Sequence, residues 1–121
     1  MKRAQIIKRL LVTEIMHSSV IAQIIESYNE PHRYYHNWQH IEALMANAQQ
    51  QNILTDNLFL AILFHDVIYN PQSKTNELES AEYLKKTCKL NAADLAEITE
   101  AILDTAAHKP NLSNLTSVNL C

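Results

Sequence analysis

Apolar residues recur every three or four positions along most of this chain, the spacing that places them on one face of an α-helix. Ile7, Leu10, Leu11, Ile15, Val20, Ile21, Ile24, Ile25 and Tyr28 follow that spacing, which predicts one long amphipathic helix over residues 4–28, ending before Pro31. A second helix is expected from Asn37, a good N-cap residue, to Gln51, with Trp38, Ile41, Leu44, Met45 and Ala48 facing inward and Asn52 closing it. Thr55 and Asp56 suit the start of a third helix, whose interior Leu58–Phe64, LFLAILF, is apolar on every face. A helix without a polar face belongs at the centre of a bundle. It delivers His65 and Asp66 at its end.

The stretch NPQSKTN then reads as a loop, and the spacing of Asn76 and Glu79 resembles a capping box opening a fourth helix over residues 76–89. A fifth is expected over residues 92–107, following Asn91, with Asp94 in its first turn and Leu95, Ile98, Ile102 and Leu103 inward. Residues 109–121 show no useful period and read as a loose or truncated tail. No segment alternates as a strand does, so the expectation is all-α: one domain over residues 1–121, a helical bundle of about five helices.

Composition narrows the function classes. The longest unbroken apolar run, LFLAILF, is far short of the ~20 residues of a membrane span. Lys8 and Arg9 interrupt the N-terminal apolar segment, so a secretory leader is not expected and the cytoplasm is the default location. Cys88 and Cys121 lack zinc-type spacing and suit free thiols. A net charge of −3 with scattered basic residues argues against a nucleic-acid polymer as partner. Glycine is absent, which excludes glycine-rich phosphate loops.

The candidate chemistry lies in two short stretches. In HNWQH, His36 and His40 stand four apart, on one face if the helix begins there. They are either neighbours of a buried Trp38 or members of a site. In FHDVIY, a His65–Asp66 pair ends the apolar helix, where a buried carboxylate is costly unless a cation neutralises it. Imidazole and carboxylate together suit divalent ions such as manganese, iron, nickel, zinc or, with more oxygen donors, magnesium.

Read in order, Arg33–Ile41 (RYYHNWQHI), Phe64–Pro71 (FHDVIYNP), Asn76–Ala81 (NELESA) and Thr105–His108 (TAAH) resemble the HD superfamily of metal-dependent phosphohydrolases. The likeness is to a branch of small bacterial proteins of that type, with a YHN-x-x-H stretch similar to that of cyclic-nucleotide phosphodiesterases. The resemblance implies an HD-like helical bundle in which His40, His65 and Asp66 ligate a divalent metal and His36 and Asp66 are catalytic, His36 as general acid. It points to Arg33, Glu77 and His108 as substrate-binding residues, with Ser80 beside Glu77 lining the pocket. It implies hydrolysis of a small phosphate ester such as a nucleotide; self-association is a separate expectation, since core left exposed by a shortened bundle would favour it.

The same resemblance implies one more metal-ligating aspartate, in a DADLSILG-like stretch beyond Thr105–His108. The chain reaches Cys121 without such a stretch, and Asp104 falls where the family carries an apolar or small residue. The alternative expectation is therefore a domain of the same type that binds a ligand or partner without turnover.

Overall fold

The computed structural model describes residues 1–105. Among them lie six α-helices: α1 (Arg3–Val12), α2 (Ser18–Tyr28), α3 (Trp38–Gln50), α4 (Asp56–Phe64), α5 (Asn76–Thr87) and α6 (Ala92–Asp104). The all-α expectation holds, and no helix among the described residues is long and apolar enough to cross a membrane. The expected tail, residues 109–121, and His108 lie outside the described residues.

The expected single helix over residues 4–28 is two. Thr13 leaves α1 in an extended conformation, and His17 caps α2 by accepting a hydrogen bond from the Ser19 backbone N–H through its side chain. Between them, Met16 bridges to Cys88, and Ile15 accepts a 2.7 Å hydrogen bond from the Lys89 backbone. A helix through residues 13–17 would satisfy these backbone groups internally. The connection instead uses them on the end of α5, a tertiary contact that the helical period of the sequence does not contain.

The other boundaries follow local chemistry. Asn37 caps α3 by accepting from the His40 backbone N–H, and Thr55 caps α4 by accepting from that of Leu58. After α3 the chain reverses through Asn52, the one described residue with positive φ, at 57°. Ile53 N–H bonds Ala48 O and Asn52 N–H bonds Gln49 O, both at 3.0 Å. This is the Schellman closure usually given to glycine; in a chain without glycine, asparagine is the residue that best tolerates it. At α5 the cap position is Thr75, not Asn76, and the Thr75 hydroxyl bonds the Glu79 carboxylate at 3.1 Å.

Helix α4 is the axis of the core. Every residue from Leu58 to Phe64 is buried, and each large apolar side chain so placed contributes roughly 1.5–3 kcal/mol. It packs against α3, α5 and α6. Asn57, near the start of α4, donates to Asp94 (3.1 Å) and Glu97 (3.0 Å) near the start of α6, so these two helices begin side by side. Helix α5 returns against α6 through a short connection. The C-terminal end of α4 and the first turn of α5 consequently meet at one end of the bundle. Trp38 is buried against Tyr28, with ring centroids 5.4 Å apart, as a core residue.

Candidate metal centre

His65 is the C-cap of α4. Its ring Nδ1 donates to the Ile62 carbonyl at 2.6 Å, which fixes the tautomer and leaves Nε2 with its lone pair outward. Nε2 is buried without a hydrogen-bond partner, and Asp66 Oδ2 lies 3.1 Å away as an ion-pair contact. A buried nitrogen left in this state costs free energy unless something accepts its lone pair.

Three imidazoles converge on one carboxylate oxygen. His36 Nδ1 donates to Asp66 Oδ2 at 2.7 Å, and His40 Nε2 stands 3.8 Å from the same atom. Side-chain exposure falls from 36% at His36 to 24% at His40, 11% at Asp66 and 3% at His65. The group is therefore a funnel with His36 at its mouth and His65 at its floor. The His36 and His40 rings are 6.2 Å apart, and those of His40 and His65 5.5 Å.

The electrostatics follow from burial and crowding. Burial alone would push the Asp66 carboxyl up, but His65, then His36, outweigh it and hold the carboxyl well below the usual carboxylate range. Burial, reinforced by the neighbouring His65, lowers the His40 pKa below the ordinary imidazole value. For His65, burial lowers the pKa, yet Asp66, the Ile62 carbonyl and Glu77 together raise it above the ordinary value. One carboxylate thus stabilises positive charge at the floor of the funnel, whether carried by a proton or a metal ion.

His40, His65 and Asp66 each place one ligand atom within 4.8 Å of the others, an arrangement that could hold a metal ion. The donors fit a divalent ion chemically: two imidazoles and a carboxylate, with His65 oriented through its other nitrogen as metal-ligating histidines are. The C-terminal end of α4, the negative end of its dipole, favours a cation there.

The remaining expected residues are distributed differently. Glu77 is half-buried in the first turn of α5 and acts electrostatically on His65. Arg33, expected as a phosphate clamp, is buried and turned inward. It donates to the carbonyls of His36 (3.1 Å), Asp66 (2.6 Å) and Val67 (3.0 Å) and to the Glu30 carboxylate (2.7 Å). Asp104 is not part of the three-residue group; its Oδ2 is buried without a hydrogen-bond partner among the described residues.

Sequence reading named Ser80 as a lining residue but missed the support from Tyr69 and from the Asn70–Asn76 pair. The Tyr69 ring stacks under His36 with centroids 4.2 Å apart. Ser80, fully buried on α5, accepts from Ile68 N–H (3.1 Å) and bonds Ile68 O (3.3 Å). Asn76 and Asn70 exchange a reciprocal pair at 2.8 and 2.9 Å, closing the loop after the His–Asp pair. The spacing of NELESA carried a signal for the last two, since a polar residue four positions after another stays on the same helix face. No family model, no curated protein and no solved structure matches the chain.

Proposed function

We propose that this chain is a metal-dependent phosphohydrolase of the HD type, acting on a small phosphate ester such as a nucleotide. The observation that carries the reading is the buried Nε2 of His65, which has no hydrogen-bond partner, is oriented by the Ile62 carbonyl and sits beside Asp66 and His40. His40, His65 and Asp66 would hold the ion. A divalent ion supplies Lewis-acid polarisation of a phosphoryl oxygen and acidifies water at neutral pH.

The chain's own groups have distinct work in this reading. Asp66 orders the imidazoles around one oxygen and supplies the negative charge that retains a cation. His36, at the open side, donates through Nδ1 to Asp66 and stacks on Tyr69, which holds its ring in place. Its Nε2 is then the nitrogen that faces the open side and would pass a proton to a leaving alkoxide. The ordered stretches Arg33–Ile41, Phe64–Pro71 and Asn76–Ala81 support the reading further, because the fold gathers all three around the same end of α4.

The test is metal analysis after exhaustive dialysis, with phosphate release measured across nucleotides and generic phosphate esters in manganese, nickel or magnesium. The three protein ligands among the described residues predict weak, exchangeable binding. Chelator-sensitive phosphate release supports the proposal. Metal uptake with no release from any ester favours the binding-only alternative, and neither uptake nor release overturns both.

A further inference from the structure

Arg33 joins the two halves of the centre. It lies in the connection between α2 and α3, three residues before His36, and its side chain is 1% exposed. One terminal nitrogen, Nη1, donates both to the His36 carbonyl at 3.1 Å and to the Asp66 carbonyl at 2.6 Å. The other, Nη2, takes the Val67 carbonyl at 3.0 Å, and Nε takes Glu30 at 2.7 Å. The guanidinium also lies against two rings, with Tyr28 and Tyr69 centroids at 5.4 and 5.5 Å, and Tyr69 in turn stacks under His36.

Two independent connections thus run from one buried cation to His36, one through its backbone carbonyl and one through Tyr69. A third runs to the backbone of Asp66. The side-chain bond between His36 and Asp66 closes the ring at 2.7 Å. Asn37 anchors the same connection from the other side, donating to the carbonyls of Arg33 (3.1 Å) and Tyr34 (3.3 Å) while capping α3. A planar fork with five donors suits this many divergent acceptors, whereas an ammonium has three donors on one atom.

We infer that Arg33 is a positioning residue, which sets the distance between His36 and Asp66 and thereby the geometry of the metal-binding group, and is not a ligand for substrate phosphate. The effect on metal rests on the reading given under Proposed function; the effect on the His36–Asp66 bond does not.

The experiment compares Arg33→Lys and Arg33→Gln with Leu10→Ala, a core truncation on α1 outside the centre, in protein whose helical circular dichroism is retained. Two quantities are read: the exchange of the hydrogen-bonded imidazole proton of His36 by NMR, assigned by its absence in His36→Ala, and the affinity for cobalt(II) from its visible spectrum. Both Arg33 variants should speed that proton's exchange at least tenfold and weaken cobalt binding about 10- to 100-fold, the usual cost of losing an outer-shell support. Leu10→Ala should leave both readouts unchanged at an equal or greater loss of melting temperature.

The inference is overturned if the folded Arg33 variants keep the proton and the cobalt affinity, or if Leu10→Ala loses them equally. It is also overturned if cobalt affinity is kept while affinity for inorganic phosphate falls, or if the unsubstituted protein shows no such proton. Failure of the unsubstituted protein to take up cobalt would sink the metal reading alone, because the proton exchange still decides the role of Arg33.

Discussion

The two ends of α4 each bring an arginine beside an aspartate, and they make opposite use of it. At the start of α4, Arg9 bonds Asp56 at 2.6 Å with the aspartate side chain 94% exposed. At its end, Arg33 is buried and reaches Asp66 through the backbone, leaving the Asp66 carboxylate to three histidines. Water screens the first pair, and such pairs contribute little. The second group has been taken out of water, so every unpaired atom there is costly and the geometry is narrowly set.

The ends differ in their cavities too. Beside Arg9, a cavity of about 400 Å³ is lined by Val12, Ile15, Phe59, Leu60 and Leu90 as well as Asp56 and Asp94, and among the described residues the group of ligand atoms that could hold an ion lies elsewhere, at His40, His65 and Asp66. Volume alone therefore does not mark a site. At the His65 end the chemistry is concentrated on one oxygen, and a convergent group of polar atoms with perturbed pKa values is the better indicator of function.

The most damaging change should be at the floor of the funnel. His65→Ala removes the most deeply buried nitrogen of the candidate ligand group and should weaken metal binding by more than about 100-fold, measured by metal analysis and cobalt titration. Metal retention in that variant would erase the contrast between the two ends. Next, His36→Ala should slow chelator-sensitive phosphate release on the order of 10²-fold while metal content stays, since His36 is not in the ligand group. Equal metal loss in both variants would remove the division of labour between mouth and floor.

The pH dependence of the metal-free protein sharpens the comparison further. A carboxyl held low, as Asp66 is, contributes stability above its ordinary pKa near 4 that is lost as the pH falls below it. A raised imidazole, as His65 is, contributes stability fully present below its ordinary value near 6.5 and lost as the pH rises through its raised one. The melting temperature should therefore peak between about pH 4 and 6.5. Asp66→Asn should flatten both flanks, and thermal scans in chelator across that range check it.

At the opposite end, burial pushes the Cys88 thiol up to about 11, with a small opposing effect from Thr87. Its thiolate is scarce at pH 8, so labelling by a maleimide in a Cys121→Ser background should run at least about tenfold slower than a free thiol. Fast labelling would mean that this end opens readily. Asp56→Asn should have the smallest effect: no more than about 1 kcal/mol in denaturant unfolding, with metal binding unchanged. A larger loss would give the exposed pair a weight comparable to the buried centre.

Much of the local architecture was open to reading because its causes are local. The caps at Asn37, Thr55 and Asn91, the closure at Asn52 and the all-apolar α4 each rest on residues within a few positions of one another. The candidate site residues were legible for a different reason: His36 and His40 stand four positions apart across the Asn37 cap, and His65 and Asp66 end a helix too apolar to tolerate them idly. The break at residues 13–17 was not legible, since the partner of that connection is the end of α5, more than seventy residues on.

The residues of this chain, taken in order, determine an all-helical bundle, its central helix and the side chains able to bind a cation, because helical period, capping and side-chain chemistry are properties of neighbouring positions. Tertiary structure alone decided that three imidazoles share one oxygen of Asp66, that Tyr69 supports His36, and that Arg33 faces inward to the carbonyls of Asp66 and Val67. Those contacts join segments about thirty residues apart. Which donor meets which acceptor across that separation is settled when packing around α4 excludes water and leaves most buried polar atoms to pair within the protein.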